Sequence, residues 1–304
     1  MADAHPDSYI TCVIADTGDQ ALFVTHLYCE GGDPSISRIM MIRDRTWYHV
    51  EDIDTPVYAF LARRAGAGAL GDICALGRSG RLRMRTRGQL PREAALTPKA
   101  GYLACMNEVD GVLYAAGTQN QLYRYSDEEG RWHEQDAGLY APLDGQVERM
   151  LLAIDGFAHD DLYAVGWNGA LWHWDGASWS ALASPTTAQL NAVLCGGDGQ
   201  VYLAGSCGRL FRGARADGWT VAGTAAGGAA VFNDMAWFQG RLYLAGGATL
   251  FVYDGATLAP CPIALDGRKT FNRLSACGDA LWCTGNESVL VFDGATWVRH
   301  GMPE

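Results

Sequence analysis

A short strand closed by glycine recurs along this chain and constrains its fold more than any other feature. The copies lie at residues 113–117 (LYAAG), 162–166 (LYAVG), 201–205 (VYLAG), 242–246 (LYLAG) and 281–285 (LWCTG), with a weaker one at 73–77 (ICALG). Their closing glycines, Gly77, Gly117, Gly166, Gly205, Gly246 and Gly285, are separated by 40, 49, 39, 41 and 39 residues. A period in this range, carried by strand-like segments, is that of a four-stranded propeller blade and not of a helical hairpin repeat.

After each glycine comes a loop of a few residues and another apolar strand, as at residues 170–174, 250–253 and 289–292. Three of these run into the same turn: Asp175-Gly176-Ala177, Asp254-Gly255-Ala256 and Asp293-Gly294-Ala295. Asp-Gly between two β-rich runs is a strong hairpin signal, because glycine tolerates positive φ. Trp179 and Trp297 then open the next strand and are expected to pack between blades. A further strand precedes each Leu-Tyr segment, at residues 190–195, 232–238 and 271–277. Each unit therefore reads as four strands.

Less regular copies extend to the N-terminus. Units starting near Tyr9, Val57, Tyr102, Val147, Leu190, Val231 and Asn272 predict an all-β fold. Residues 1–304 are expected to form a single seven-bladed β-propeller domain of four-stranded antiparallel blades. In the second unit the fourth strand reads as degenerate. No strand is left over to lock the ring, and the alternative phasing is six blades with a decorated N-terminal end. Units of this size cannot bury both faces alone, so they must stack, and a closed ring removes the exposed edges.

Residues 166–179 (GWNGALWHWDGASW) show the pattern of glycine, short loop, Leu-x-x-Trp/Tyr-Asp-Gly and then Trp. In this the chain resembles bacterial β-propeller repeat proteins and, loosely, kelch repeats. The resemblance runs from about Gly111 to the C-terminus. It implies the propeller fold but no particular activity, since such propellers host unrelated functions. The Gly-His and Trp-Asp signature of WD repeats is absent.

Composition narrows the function. The net charge of −11 argues against a nucleic-acid binder and suits a basic protein partner. No apolar run approaches the roughly 20 residues of a membrane span, and the first residues lack a basic and then apolar leader. The expectation is a cytoplasmic protein, with no membrane association and monomeric on its own. Nine cysteines, an odd number with no Cys-x-x-Cys, read as buried thiols.

No catalytic pattern emerges. The Asp-Gly-Ala-x-Trp turns differ in spacing from the Ser-x-Asp-x-Gly-x-x-Trp box of sialidase-like propellers. Asp127, Gly130 and Trp132 come near a quinone-docking motif and read as a hairpin turn. The seven histidines are scattered, and His173, between two tryptophans, reads as packing. Asp175, Asp254 and Asp293 repeat in register, as structural residues do. A catalytic carboxylate is more often a single departure from the repeat. No catalytic residue, metal or cofactor is expected.

Candidate contact residues lie on loops that a propeller gathers around one mouth of its channel. Asn191, Asn233 and Asn272 each start an inner strand; they either bond local backbone or form a polar ring at the mouth. Asn120, Trp167, Asn168, Asn286 and Glu287 occupy the loops that follow the closing glycines. Trp167, an aromatic at a loop tip, reads either as an interface anchor or as packing on a neighbouring blade. The longest connection, residues 136–146, contributes Leu139 and Tyr140. One stretch breaks the charge balance: residues 63–92 hold eight arginines and a single acid, Asp72. Of these, Arg81, Arg83, Arg85 and Arg87 share one strand face, which is either solvated or a patch for an acidic partner.

The reading that follows is a non-catalytic, protein-binding propeller. Its most concrete form is an immunity protein that neutralises a cognate bacterial toxin, such as a basic nuclease. This form rests on analogy with bacterial toxin–antitoxin systems. A general scaffold and a carbohydrate-acting or carbohydrate-binding propeller are the alternatives.

Overall fold

The structure, a computed structural model, describes residues 10–28, 34–64, 70–143, 148–228, 230–267, 269–286 and 288–301. It contains seven four-stranded sheets, each built from four consecutive strands paired with their sequence neighbours. In the fourth sheet the strands are Leu151–Ala158, Asp161–Gly166, Leu171–Trp174 and Trp179–Ala181, all antiparallel. The seven first strands are Ile10–Ala15, Val57–Arg64, Leu103–Val109, Leu151–Ala158, Leu190–Cys195, Asp234–Phe238 and Arg273–Cys277. Each touches the next around the ring, and the last touches the first. They are the inner strands of a seven-bladed β-propeller.

Hydrophobic burial holds the blades face to face. One cluster joins Val109, Tyr114 and Leu122 of blade 3 to Leu151, Leu162 and Trp179 of blade 4. Another joins Ile10, Val13 and Phe23 of blade 1 to Trp282, Val289 and Val291 of blade 7. The second strands are the most continuously buried elements, and Val201–Gly205 and Ala280–Thr284 are buried along their whole length. The expected packing of Trp179 between blades is observed, its indole N–H donating to the Gln135 carbonyl of blade 3 at 2.7 Å.

The recurring glycine has a steric cause. A Cβ on Gly166 would overlap the Met150 carbonyl, one on Gly117 that of Tyr102, and one on Gly205 that of Gln189. At each place the end of the second strand runs against the backbone that enters the inner strand. The three Asp-Gly-Ala turns are equally local. Gly176, Gly255 and Gly294 have φ of 87°, 99° and 97°. The Asp254 carboxylate accepts the N–H groups of Ala256 at 2.9 Å and Thr257 at 2.7 Å, and Asp175 and Asp293 make the same pair.

Among the described residues the ring closes without strand exchange. Blade 7 meets blade 1 through side chains: Ala15 N–H donates to Ser275 Oγ at 2.9 Å, and the Trp282 indole N–H donates to the Thr17 carbonyl at 2.7 Å. Trp282 also stacks on His300 within its own blade, with ring centroids 5.1 Å apart. Two details differ from the sequence reading. The fourth strand of blade 2, read as degenerate, is the regular strand Arg92–Ala95, paired with Arg81–Arg85. The inner strand of blade 4 starts at Leu151, past Val147, which lies outside the described residues together with Tyr9. The eight described cysteines are free, and Cys29 lies outside the described residues.

Candidate functional site

The inner strands begin on one face, and the asparagines that open three of them gather there. At the channel mouth lies a cavity of about 550 Å³ that brings together Asn191, Asn233, Asn272 and Asn286 with Thr11, Tyr58 and Arg273. Beneath it the channel, about 390 Å³, is lined by residues from all seven inner strands. The asparagines are partly engaged. Asn191 Nδ2 donates to the Phe232 carbonyl of the next blade at 2.9 Å, so this residue joins blades as well as lining the mouth. Asn272 Nδ2 donates to Asn286 Oδ1 at 2.8 Å, an exposed pair. Arg273 Nε donates across the seam to the Thr11 carbonyl at 3.2 Å. The Arg78 guanidinium lies 3.8 Å above the Tyr58 ring and 4.7 Å from that of Tyr102, a cation held by aromatic faces between blades 2 and 3.

Two carboxylates face the channel, and sequence reading did not single them out. Asp155 accepts the Cys195 N–H of blade 5 at 2.8 Å and Asn107 Nδ2 of blade 3 at 3.2 Å. Burial pushes its carboxyl up to about 6, against the pull of these donors. Asp234 accepts the Leu274 N–H of blade 7 at 2.9 Å. Burial raises this group too, opposed by the Arg273 charge. Both aspartates cross-link neighbouring blades. The signal that could have found Asp155 is an acid within an otherwise apolar inner strand, the kind of departure that the repeated turn aspartates are not.

The remaining candidates lie over blades 3 and 4. Trp167, half-buried, and Asn168, exposed, border a pocket of about 300 Å³ that Asn120 and Arg149 also line. Asn120 is buried and belongs to the floor of the loop, not its tip. Leu139 requires a correction as a contact residue. It is 2 % exposed and packs in the core with Trp179 and Leu151, so it offers no surface to a partner. The turn in which Leu139 N–H donates to the Asp136 carbonyl at 2.9 Å folds the side chain inward. Tyr140 next to it is half-buried, with the Lys99 ammonium 4.9 Å from its ring centroid. Glu287 lies outside the described residues.

The arginine-rich strand is partly neutralised. Arg83 pairs with Glu51 at 3.0 Å and Glu93 at 2.8 Å, and Arg85 reaches Glu51 at 3.2 Å. Arg63 joins Glu108 and Asp127 of blade 3 at 3.1 and 2.6 Å. Acids from adjoining blades thus absorb much of the positive charge that looks excessive in sequence. His173 packs against Tyr163 at 4.7 Å between ring centroids and meets Asp161 Oδ1 at 2.7 Å. Among the described residues no three His, Cys, Asp or Glu side chains cluster as metal ligands, and no helix is long and apolar enough to cross a membrane.

No protein-family model matches the chain. The chain is similar to the immune protein Tsi7 of Pseudomonas aeruginosa, 37% identical over 150 residues that cover 49% of this chain and 48% of that protein. The match therefore spans about half the length of this relative. Among solved structures, the virginiamycin B lyase of Staphylococcus aureus superposes with a TM-score of 0.73 at 12% identity, covering 93% of each chain. Sqt1 of Saccharomyces cerevisiae superposes with a TM-score of 0.65 at 10% identity, covering 96% of this chain and 84% of that one. Likeness at such identities speaks for the fold alone.

Proposed function

We propose that this protein is a non-catalytic immunity protein that binds and neutralises a cognate bacterial toxin in the cytoplasm. The observation that carries this reading is the 37% identity to an immune protein over half of the chain. Three features agree with it. Asp155 and Asp234 in the channel are each taken up by backbone N–H groups of the next blade, a structural use of buried carboxylates. The mouth face offers amide, aromatic and guanidinium groups suited to protein contact. The net charge of −11 steers a basic toxin, such as a nuclease, toward the propeller and makes association salt-dependent.

The test is neutralisation. A partner captured from the native host by the full chain is expressed alone and together with this protein. The expected result is growth arrest alone and rescue on co-expression. A captured partner that is harmless alone, or toxic but not rescued, overturns the reading.

A further inference from the structure

The pocket between the loops of blades 3 and 4 contains a polar group without a match. Asn120 is 3 % exposed, lines this pocket, and its Oδ1 has no hydrogen-bond partner. A buried acceptor left unpaired costs the folded state free energy that a bound donor restores. The loop is also held in an uncommon conformation. Gln119 and Asn120 both have φ of 58°, in the left-handed region. The strain is fixed from two sides, by Gln119 N–H donating to the Arg149 carbonyl at 2.7 Å and Ala141 N–H donating to the Gln119 carbonyl at 3.1 Å.

The other walls define what fits. Trp167 and Trp172 supply aromatic surface, and Leu171, Ala181 and Leu182 supply aliphatic surface. Arg149 adds a guanidinium with no carboxylate within salt-bridge distance among the described residues. A cationic occupant would face Arg149, and an anionic one would face the Asn120 oxygen. A neutral group that both donates and accepts satisfies both. The apolar part of the wall, Trp167, Leu171 and Leu182, asks for an apolar stem beneath that group. A sugar, polar around its whole rim, would leave hydroxyls against leucine and alanine.

We propose that this pocket receives a carboxamide side chain, a glutamine or asparagine, from the protein partner. Its amide N–H₂ donates to Asn120 Oδ1, its carbonyl accepts from Arg149, and its methylene stem lies on the Trp167 indole. The assignment rests on the mouth face being the partner-binding face, but its chemistry is testable without the partner.

The probe is N-acetyl-glutamine methylamide, titrated into the full-length protein while the indole N–H resonances are followed by NMR. The expected result is a saturable shift of the two pocket indoles, Trp167 and Trp172, and of no other tryptophan, with a Kd in the millimolar range that so small a ligand allows. Asn120→Gly keeps a residue suited to positive φ and removes the acceptor, and is expected to weaken binding about tenfold. Absence of a saturable shift, or unchanged affinity in Asn120→Gly, overturns the proposal. So does stronger binding of methyl glucoside, p-cresol or propylammonium than of the amide. Failure here would leave the toxin-neutralisation reading standing, and failure of neutralisation would leave the pocket chemistry standing.

Discussion

The three Asp-Gly-Ala turns and the mouth-face loops over blades 3 and 4 use their polar residues in opposite ways. On the turn face, Asp175, Asp254 and Asp293 spend their carboxylates on the backbone of their own loops, and glycine takes up the positive φ. On the mouth face, Gln119, Asn120 and Asn168 hold φ near 58° without glycine's freedom, and the Asn120 oxygen is unmatched. Where sequence repeats, local chemistry is closed on itself. Where it departs from the repeat, polar groups exceed what the local fold requires.

The largest effect expected is at a closing glycine. Gly166→Ala drives a Cβ into the Met150 carbonyl, backbone that cannot swing aside. It should destabilise by about 3 kcal/mol or more, read as a lower urea midpoint. Gly255→Ala on the turn face meets nothing within 4 Å, so only its φ of 99° resists, at about 1–2 kcal/mol. Equal losses at the two glycines would break the contrast between steric and conformational demand.

Next is Trp167. It is half-buried at the pocket rim and does not belong to the buried core. Trp167→Ala should leave the unfolding free energy from urea titration within about 0.5 kcal/mol of wild type. If the proposed neutralisation holds, it should weaken binding of the captured partner by about 2 kcal/mol, near thirtyfold, measured by calorimetry. Asp254→Ala should leave that affinity unchanged. The reverse pattern would move the partner to the turn face.

Sequence carried the fold further than the site, for a physical reason. The closing glycines and the Asp-Gly turns report interactions within a few residues or one blade, so their period displays them. The site is assembled across blades. Asn191, Asn233 and Asn272 were legible because each marks the same place in its own unit. Leu139 misled because its loop departs from the repeat, yet the departure serves to cover Trp179. The pairing of the excess arginines was not legible because Glu51, Glu108 and Asp127, which pair with them, lie in neighbouring units. Asp155 was missed because the donors that hold it, Cys195 and Asn107, come from the blades on either side.

Asp155 gives the pH arm of the comparison. Its folded-state pKa of about 6 lies above that of an unfolded aspartate because burial disfavours the charge. Protonation therefore stabilises the fold. That contribution is fully present below the unfolded pKa and is lost as the pH rises through about 6. Between pH 7 and pH 4, wild type should gain about 1–2 kcal/mol relative to Asp155→Asn in urea titrations. A constant gap between the two proteins would mean that the carboxylate is solvated in the channel.

The smallest effect tests the turn face in its own terms. The Asp254 carboxyl is held below the usual range by the N–H groups of Thr257 and Ala256. With a lowered folded-state pKa the sign is opposite to that of Asp155. The stabilisation is present above the unfolded pKa and lost as the pH falls through the folded one. Asp254→Ala should lower Tm slightly at neutral pH, and the gap should close in acid as the wild-type carboxyl protonates. Asp254→Asn retains an acceptor for both N–H groups, so it should sit between the two and respond less to pH. If Asn behaved like Ala, the charge and not the turn geometry would be what the repeat preserves. The aspartates of this face would then form part of an electrostatic surface, and the division of labour between the faces would fail.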